Sequence, residues 1–347
     1  ACQLHNVPGH VERPARVRAI QGALRKNFPE APWVLAPEVD LEQVKLFHPQ
    51  SHVDNILLRC SRTEAAAEAA AKGSEGDTGS SGVRGSGWTN IPGALEEIDG
   101  DTYVTPKSRG GILRAAGAAC LATDEVLSGR APNAFCCVRP PGHHAKPTRA
   151  MGFCFFSNAG IAALHAREAH GIDRVAVVDF DVHHGNGTQA LFETLPYAFY
   201  ASTHQGDGCY PGSGWEDERG VAQNIVNVML KAGAGSAEFR AAYEETILPA
   251  LTDFRPGFIV ISAGFDAHAD DELADMRLED EDYRWVTEKL CEVAADVCGG
   301  KIVSILEGGY NLAAISRSAV EHVRALRAAA ATAAAAGGGG ELDADVE

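Results

Sequence analysis

Asp181 and His183 stand two residues apart at the end of an apolar run, RVAVVDFDVHH, where an extended chain turns both side chains to one face. Asp266 closes another such run, FIVISAGFD, and can supply a third ligand. Two carboxylates and one imidazole neutralise a divalent cation of the zinc type. Three protein ligands leave room for water and substrate, as in a catalytic rather than a structural site. Taken alone, Asp-x-His is more often a surface turn than a ligand set. Here it runs on into His184-Gly-Asn-Gly, and a His-His tandem lies at a neighbouring strand end, a combination that chance spacing rarely gives.

The tandem, His143 and His144, follows Pro140-Pro141-Gly142, a stiff turn that fixes where both rings point. Amide hydrolysis needs a base to deprotonate the attacking water and an acid to protonate the leaving amine. Two adjacent imidazoles divide that work if their surroundings set their pKa values apart. Asp179 and Asn186 are the candidate orienting partners, since a carboxylate makes a histidine more basic and a neutral amide does so less. Histidine pairs also occur as mere packing, so their neighbours carry the argument. Tyr310 follows Gly308 and Gly309, which permit close backbone approach and positive φ, and its phenol can donate to the oxyanion of a tetrahedral intermediate. The competing reading is a tyrosine that caps an apolar edge. The Gly152-Phe153 turn and Tyr210 can wall a narrow channel for an acyl-amine chain, although aromatics more often simply pack.

Other chemistries fit less well. Gly185 to Ala190 matches GxGxxA between a strand and a helix, but it follows DVHH directly and no acidic strand end lies about 20 residues on to hold a ribose. No GxSxG elbow is present. Nine cysteines, odd in number and without a CxxC pair, read as reduced thiols of an intracellular, reducing compartment rather than a disulfide frame or a cysteine zinc site.

The elements that must position these residues are short apolar runs at 134–138, 174–180, 198–202, 224–228, 257–263 and 301–306. Helical stretches lie around 109–127, 157–170, 187–194, 236–252, 280–297 and 312–327. Such alternation predicts an α/β fold with a doubly wound, mainly parallel sheet flanked by helices, and ligands bind beyond the carboxyl ends of its strands. Polar, Gly-rich turns follow five of the runs. The predicted unit is one domain over residues 1–327, with a low-complexity loop at about 62–87 and a disordered Ala/Gly/acidic tail at 328–347. The formal charge of −17, from 30 Lys+Arg against 47 Asp+Glu, argues against binding nucleic acid through its phosphates. No apolar run approaches the roughly 20 residues of a bilayer span. The chain opens on Ala1 without Met and without a charged-then-apolar leader, as a trimmed N-terminus would.

Together RPPGHHA, GFCFFSN, DFDVHHGNGTQ, AGFDAH and EGGY resemble the histone deacetylase family on its class II side, with acetylpolyamine amidohydrolases and bacterial relatives nearby. PGHVERPARVRAI (8–20) and DGDTYVTP (99–106) are similar to family segments as well, so the match covers most of the chain. The resemblance implies an arginase-like fold, with one zinc ion per chain on Asp181, His183 and Asp266. It gives acid/base work to His143 and His144, with Asp179 holding the first and Asn186 beside the second, and oxyanion stabilisation to Tyr310. It also implies a structural monovalent cation, K+, built by Asp179, Asp181, His183, Ser202 and Thr203, partly through backbone carbonyls. Where arginases extend the motif to D-x-H-x-D, this chain has Gly185, so a second metal ion at that centre is not expected. After AGFD the chain reads AHADDELADM in place of a Gly-Asp-Pro turn, which sets Leu273 at the pocket rim where polyamine-preferring relatives carry an acid.

The function these residues predict is zinc-dependent removal of acetyl groups from N-acetyl-lysine of proteins or from a related acetylated amine. Deacetylation of acetylpolyamines or small N-acetylamines shares every catalytic residue and differs at the rim. An inactive acetyl-lysine reader or scaffold is the alternative outside enzymes, and the intact Asp181, His183, Asp266 and Tyr310 speak against it. The expected partner is an acetylated protein, peptide or small amine, without nucleic acid or membrane.

Overall fold

The structure, a computed structural model, describes residues 2–74 and 90–337. In chain order the elements are α1 (Ala15–Asn27), α2 (Leu41–Val44), α3 (Gln50–Ser74), β1 (Glu96–Asp99), β2 (Thr102–Val104), α4 (Ser108–Leu127), β3 (Asn133–Cys136), α5 (Asn158–His170), β4 (Val175–Asp179) and α6 (Asn186–Phe192). They continue with β5 (Ala198–Gln205), β6 (Ile225–Leu230), α7 (Ser236–Ala242), α8 (Leu248–Phe254), β7 (Phe258–Ala263), α9 (Asp280–Cys298), β8 (Ile302–Leu306) and α10 (Leu312–Gly337). Between α7 and α8 the helix widens into a π turn over Tyr243–Ile247. Pro249, just beyond, has no N–H to give to the carbonyl four residues back.

The apolar runs become strands because both of their faces are covered. Every residue of β4, β5, β7 and β8 is buried, whereas β3 and β6 are partly exposed, as edge strands are. The six strands are parallel, in the order β3-β8-β7-β4-β5-β6. Period-2 alternation sends Ala176, Val178, Ile259 and Ile261 into a core under α1, α7, α8, α9 and α10, and Val175, Val177, Val260 and Val303 into the other under α3, α4 and α5. From β4 the chain winds outward through β5 and β6, then returns to place β7 on the other side of β4. The strand order therefore reverses between β4 and β7, the crevice where open α/β sheets hold ligands.

Two expectations need correction. The loop expected at 62–87 is helical as far as Ser74, because α3 runs on through the alanines; residues 75–87 lie outside the described ones. The tail expected to be disordered from 328 is likewise helical to Gly337 as the last turns of α10, and 338–347 lie outside the described residues. Low complexity was the misleading signal in both, since alanine has the highest helix propensity. The DGDTYV segment also forms a small antiparallel hairpin, β1 with β2, and β5 continues through Thr203 and His204 to Gln205, where a turn was expected. Among the described residues no helix is long and apolar enough to cross a membrane. All nine cysteines are free thiols.

Candidate active site

The site assembles at the carboxyl ends of β4, β7, β8 and β3. Asp179 is the last residue of β4, and the chain stays alternating beyond it. Phe180 and Val182 pack into the core, which leaves Asp179, Asp181 and His183 to the other side. Asp266 follows β7, Glu307 to Tyr310 follow β8, and Arg139 to His144 follow β3.

His183 Nδ1 lies 3.1 Å from Asp181 Oδ1 and 3.2 Å from Asp266 Oδ2. The other carboxylate lone pairs are committed to the backbone: Asp181 Oδ2 accepts from Gly308 N at 2.7 Å, and Asp266 Oδ1 accepts from Val182 N at 3.0 Å. Asp266 Oδ2 is buried, and beyond its ion pair with the His183 ring it accepts no well-formed hydrogen bond. Burial, then the neighbouring Asp181 carboxylate, push the Asp266 carboxyl up to about 6. Burial opposes a charge on His183, yet the two carboxylates hold its pKa well above the ordinary histidine value. Two buried carboxylates thus keep a proton at the point where a divalent cation would satisfy both, and the orphaned oxygen is the ligand atom such an ion would take up. Gly308 is required here, because a Cβ on it would overlap Asp266 Oδ2, and Gly309 sits at φ 110°.

The His143 and His144 rings are 4.0 Å apart between centroids. His143 Nδ1 lies 3.0 Å from Asp179 Oδ2, and His144 Nδ1 lies 3.0 Å from Asn186 Oδ1. Asp179 is itself held by the Tyr200 hydroxyl, which donates to Oδ2 at 3.1 Å. Burial opposes the charge on His143, but Asp181 and then Asp179 raise its pKa to about 10. His144 moves the opposite way, lowered by burial and by its cationic neighbours His143 and His183. His184, in the same motif, faces away: its ring bonds Ser213 Oγ and Gln189 Oε1, and burial lowers it to about 3.

Phe153 packs edge-on against Tyr310 at 5.9 Å, and Tyr210 edge-on against His144 at 5.0 Å, so both aromatic candidates border the cluster. Phe153 holds φ 68°, an unusual conformation for a bulky residue, with its N–H fixed by Thr102 Oγ1 at 2.9 Å. Gly152 precedes it, against the His144 ring and the Tyr210 hydroxyl. Leu273 is 38% exposed on the loop after Asp266. Its neighbour Asp270 pairs with Arg317 at 2.9 Å. Ser202 is the register partner of Asp179 across β4 and β5; its hydroxyl meets His204 Nδ1 at 2.9 Å, while Thr203 Oγ1 is buried without a hydrogen-bond partner.

Four residues that sequence reasoning did not single out support the cluster. Glu307 Oε2 accepts from Gly142 N at 2.6 Å and His143 N at 3.1 Å, tying β8 to the tandem. Arg16 donates to the carbonyls of Gly309 and Glu307, with its guanidinium 4.8 Å over the Tyr310 ring. Glu12 binds both Arg16, at 3.1 Å, and Arg139; burial would raise its pKa, but Arg139 and then Arg16 override this and hold it at about 2. Arg139 also donates to the carbonyl of His5. The motifs contain all four, but their pairing depends on folding. An open cleft of about 580 Å³, lined by Asp173, Arg174, Arg255 and Lys301, lies at the amino ends of β4, β7 and β8 and includes none of these groups.

A parallel sheet with an Asp/His/Asp cluster and two buried histidines at its switch point defines the arginase-like deacetylase fold. Residues 10–326 match the histone deacetylase domain family, and the chain belongs to it. The chain is 42% identical over 238 residues to Histone deacetylase 14, chloroplastic, of Arabidopsis thaliana, an alignment that covers 66% of this chain and 56% of that protein. Over 329 residues it is 37% identical to Histone deacetylase 10, chloroplastic, of Oryza sativa subsp. japonica, covering 92% of this chain and 70% of the relative. The solved HDA15 HD domain superposes with a TM-score of 0.80 at 34% identity, covering 94% of this chain and 87% of the other.

Proposed function

We propose that this chain is a zinc-dependent deacetylase that hydrolyses the acetyl amide of N-acetyl-lysine in proteins or peptides, or of a related acetylated amine. The observation that carries the reading is the convergence of Asp181, His183 and Asp266 on one buried point, with Asp266 Oδ2 left without a well-formed hydrogen bond, beside two histidines driven to opposite protonation states. Asp181, His183 and Asp266 would hold the zinc. When bound, the ion supplies Lewis acidity, which polarises the amide carbonyl and makes water nucleophilic at neutral pH.

The chain's own groups do the rest. His144, kept neutral, takes a proton from the attacking water. His143, kept protonated by Asp181 and Asp179, delivers one to the leaving amine as the C–N bond breaks, so acetate and free amine are the products. Tyr310 donates its phenolic hydrogen to the developing oxyanion. Gly152, Phe153 and Tyr210 flank the acyl-amine chain, and Leu273 lies at the mouth. The unpartnered Thr203 hydroxyl supports a monovalent cation, K+, beneath the site, with Ser202 and the backbone around Asp179, Asp181 and His183.

Acetate release from an acetyl-lysine peptide, measured with zinc content after dialysis, tests the reading. The wild type should turn over and retain a tightly held ion, and Asp181→Asn should lose both. Peptide binding by the metal-loaded wild type without acetate release would make the protein a reader instead.

A further inference from the structure

A second group of metal-ligating side chains lies away from the active site, where α4 packs on α5. Asp124, on α4, receives two imidazoles from α5: His165 Nε2 and His170 Nε2 each lie 2.7 Å from Asp124 Oδ1. The rings stand at 88° with centroids 5.8 Å apart, so both direct the same nitrogen at one oxygen from different sides. Burial would raise the Asp124 carboxyl, but the hydrogen bonds from His170 and His165 outweigh it and keep the group ionised. His165 is nearly enclosed, with the Gln43 amide 3.4 Å from its Nδ1, whereas the side chains of His170 and Asp124 are 24% and 37% exposed. The group therefore has a fixed inner ligand and an open outer side where water can complete a coordination sphere.

We infer that Asp124, His165 and His170 form a second, exchangeable divalent-cation site that ties α4 to α5. Two imidazoles and one carboxylate are the donor set that suits Zn(II), Co(II) or Ni(II). Zinc bonds of about 2.0–2.2 Å in tetrahedral geometry keep ligand atoms roughly 3.3 Å apart, so the present 2.7 Å contacts need open by well under 1 Å once both rings offer a bare Nε2 to the cation and carry their proton on Nδ1. The site also stands at the carboxyl end of α5, where Gly171 caps the helix in the left-handed conformation, and the helix dipole favours positive charge there. None of its residues belongs to the Asp181 centre, so the two sites fail or stand independently.

The test uses the full chain, zinc-loaded and dialysed, then titrated with Co(II) or Zn(II) by calorimetry and metal analysis. About one further saturable equivalent is expected, with a rise in the thermal midpoint. His170→Ala and Asp124→Asn should each lose that equivalent and the thermal shift while keeping the dialysis-resistant ion and normal turnover. Asp181→Asn should lose the active-site ion and keep this one. Saturation with no further equivalent, uptake that never saturates, or uptake by His170→Ala and Asp124→Asn equal to that of wild type overturns the proposal.

Discussion

The carboxylate of Asp271 anchors the backbone of Tyr310: Oδ2 accepts from Tyr310 N at 2.6 Å and from Asn311 N at 2.9 Å, while Oδ1 takes Leu273 N at 3.2 Å. One buried side chain thus fixes both the phenol assigned to the oxyanion and the rim loop. Asp271→Ala should leave these N–H groups unpaired at about 1–3 kcal/mol, lowering kcat by about 10- to 100-fold with metal content unchanged. Asp271→Asn keeps an acceptor oxygen and should recover most of the rate. Full turnover in Asp271→Ala would mean that Tyr310 is held by other contacts.

Tyr310→Phe removes the proposed oxyanion donor and keeps the ring that Arg16 and Phe153 cover. Turnover should drop about 10²-fold or more, while zinc content and hydroxamate binding persist. An unchanged kcat would assign Tyr310 to packing.

The two histidines should separate in kinetics. His144 is the base in this reading, so His144→Ala should cost more turnover than His143→Ala. Equal and mild losses, measured at the same metal occupancy, contradict the division of roles.

Glu307 gives a pH test that does not involve a metal ligand. Burial pushes its carboxyl from the ordinary 4.5 up to about 7. The native state therefore keeps a proton that the unfolded chain releases. The stabilisation is complete below pH 4.5 and is lost as pH rises through about 7. Its full size is about 3 kcal/mol by linkage. Glu307→Gln lacks this proton uptake, so between pH 5 and 8 the wild type should lose up to about that much stability relative to the variant. Urea midpoints that move in parallel for the two proteins would show that Glu307 does not titrate in this range.

Substrate choice turns on the rim. Asp270 is paired with Arg317 and Asp271 is occupied by backbone N–H groups, so neither is free to receive a distant ammonium. The wild type should prefer acetyl-lysine peptides or uncharged acetylarylalkylamines to acetylspermidine. Leu273→Glu should shift the kcat/KM ratio toward the polyamine by about 1–3 kcal/mol. A wild type that already favours acetylspermidine would reject Leu273 as the gate.

The strands were legible because burial on both faces writes a continuous apolar run, as in VAVVD and FIVIS, and the Asp/His residues were legible because they follow those runs directly. Asp271 was not, since a carboxylate in the acidic stretch ADDELAD looks like its solvated neighbours until the fold brings Tyr310 N to it. The left-handed Phe153 was equally hidden, because its N–H finds its partner in Thr102, 51 residues back in the chain, rather than in the local sequence. The helical alanines of α3 and α10 were obscured by composition, which carries no period to read.

The buried guanidinium of Arg16 donates to Glu12, four residues back, and to the carbonyls of Glu307 and Gly309, 291 and 293 residues further along the chain. A ribosome adding about 5–20 residues per second needs roughly 15–60 s to make that stretch. During this interval α1 exists without two of the acceptors of its arginine, while Glu12 has Arg16 from the start and Arg139 once that residue is made. The strand end that carries Tyr310 and the first helix can lock only after the final strand has been made. A nascent chain of this protein therefore cannot complete its candidate catalytic pocket while it is still being synthesised through that strand, and shortened products that stop before residue 307 would leave Arg16 with Glu12 but without the two carbonyls it bonds in the folded chain.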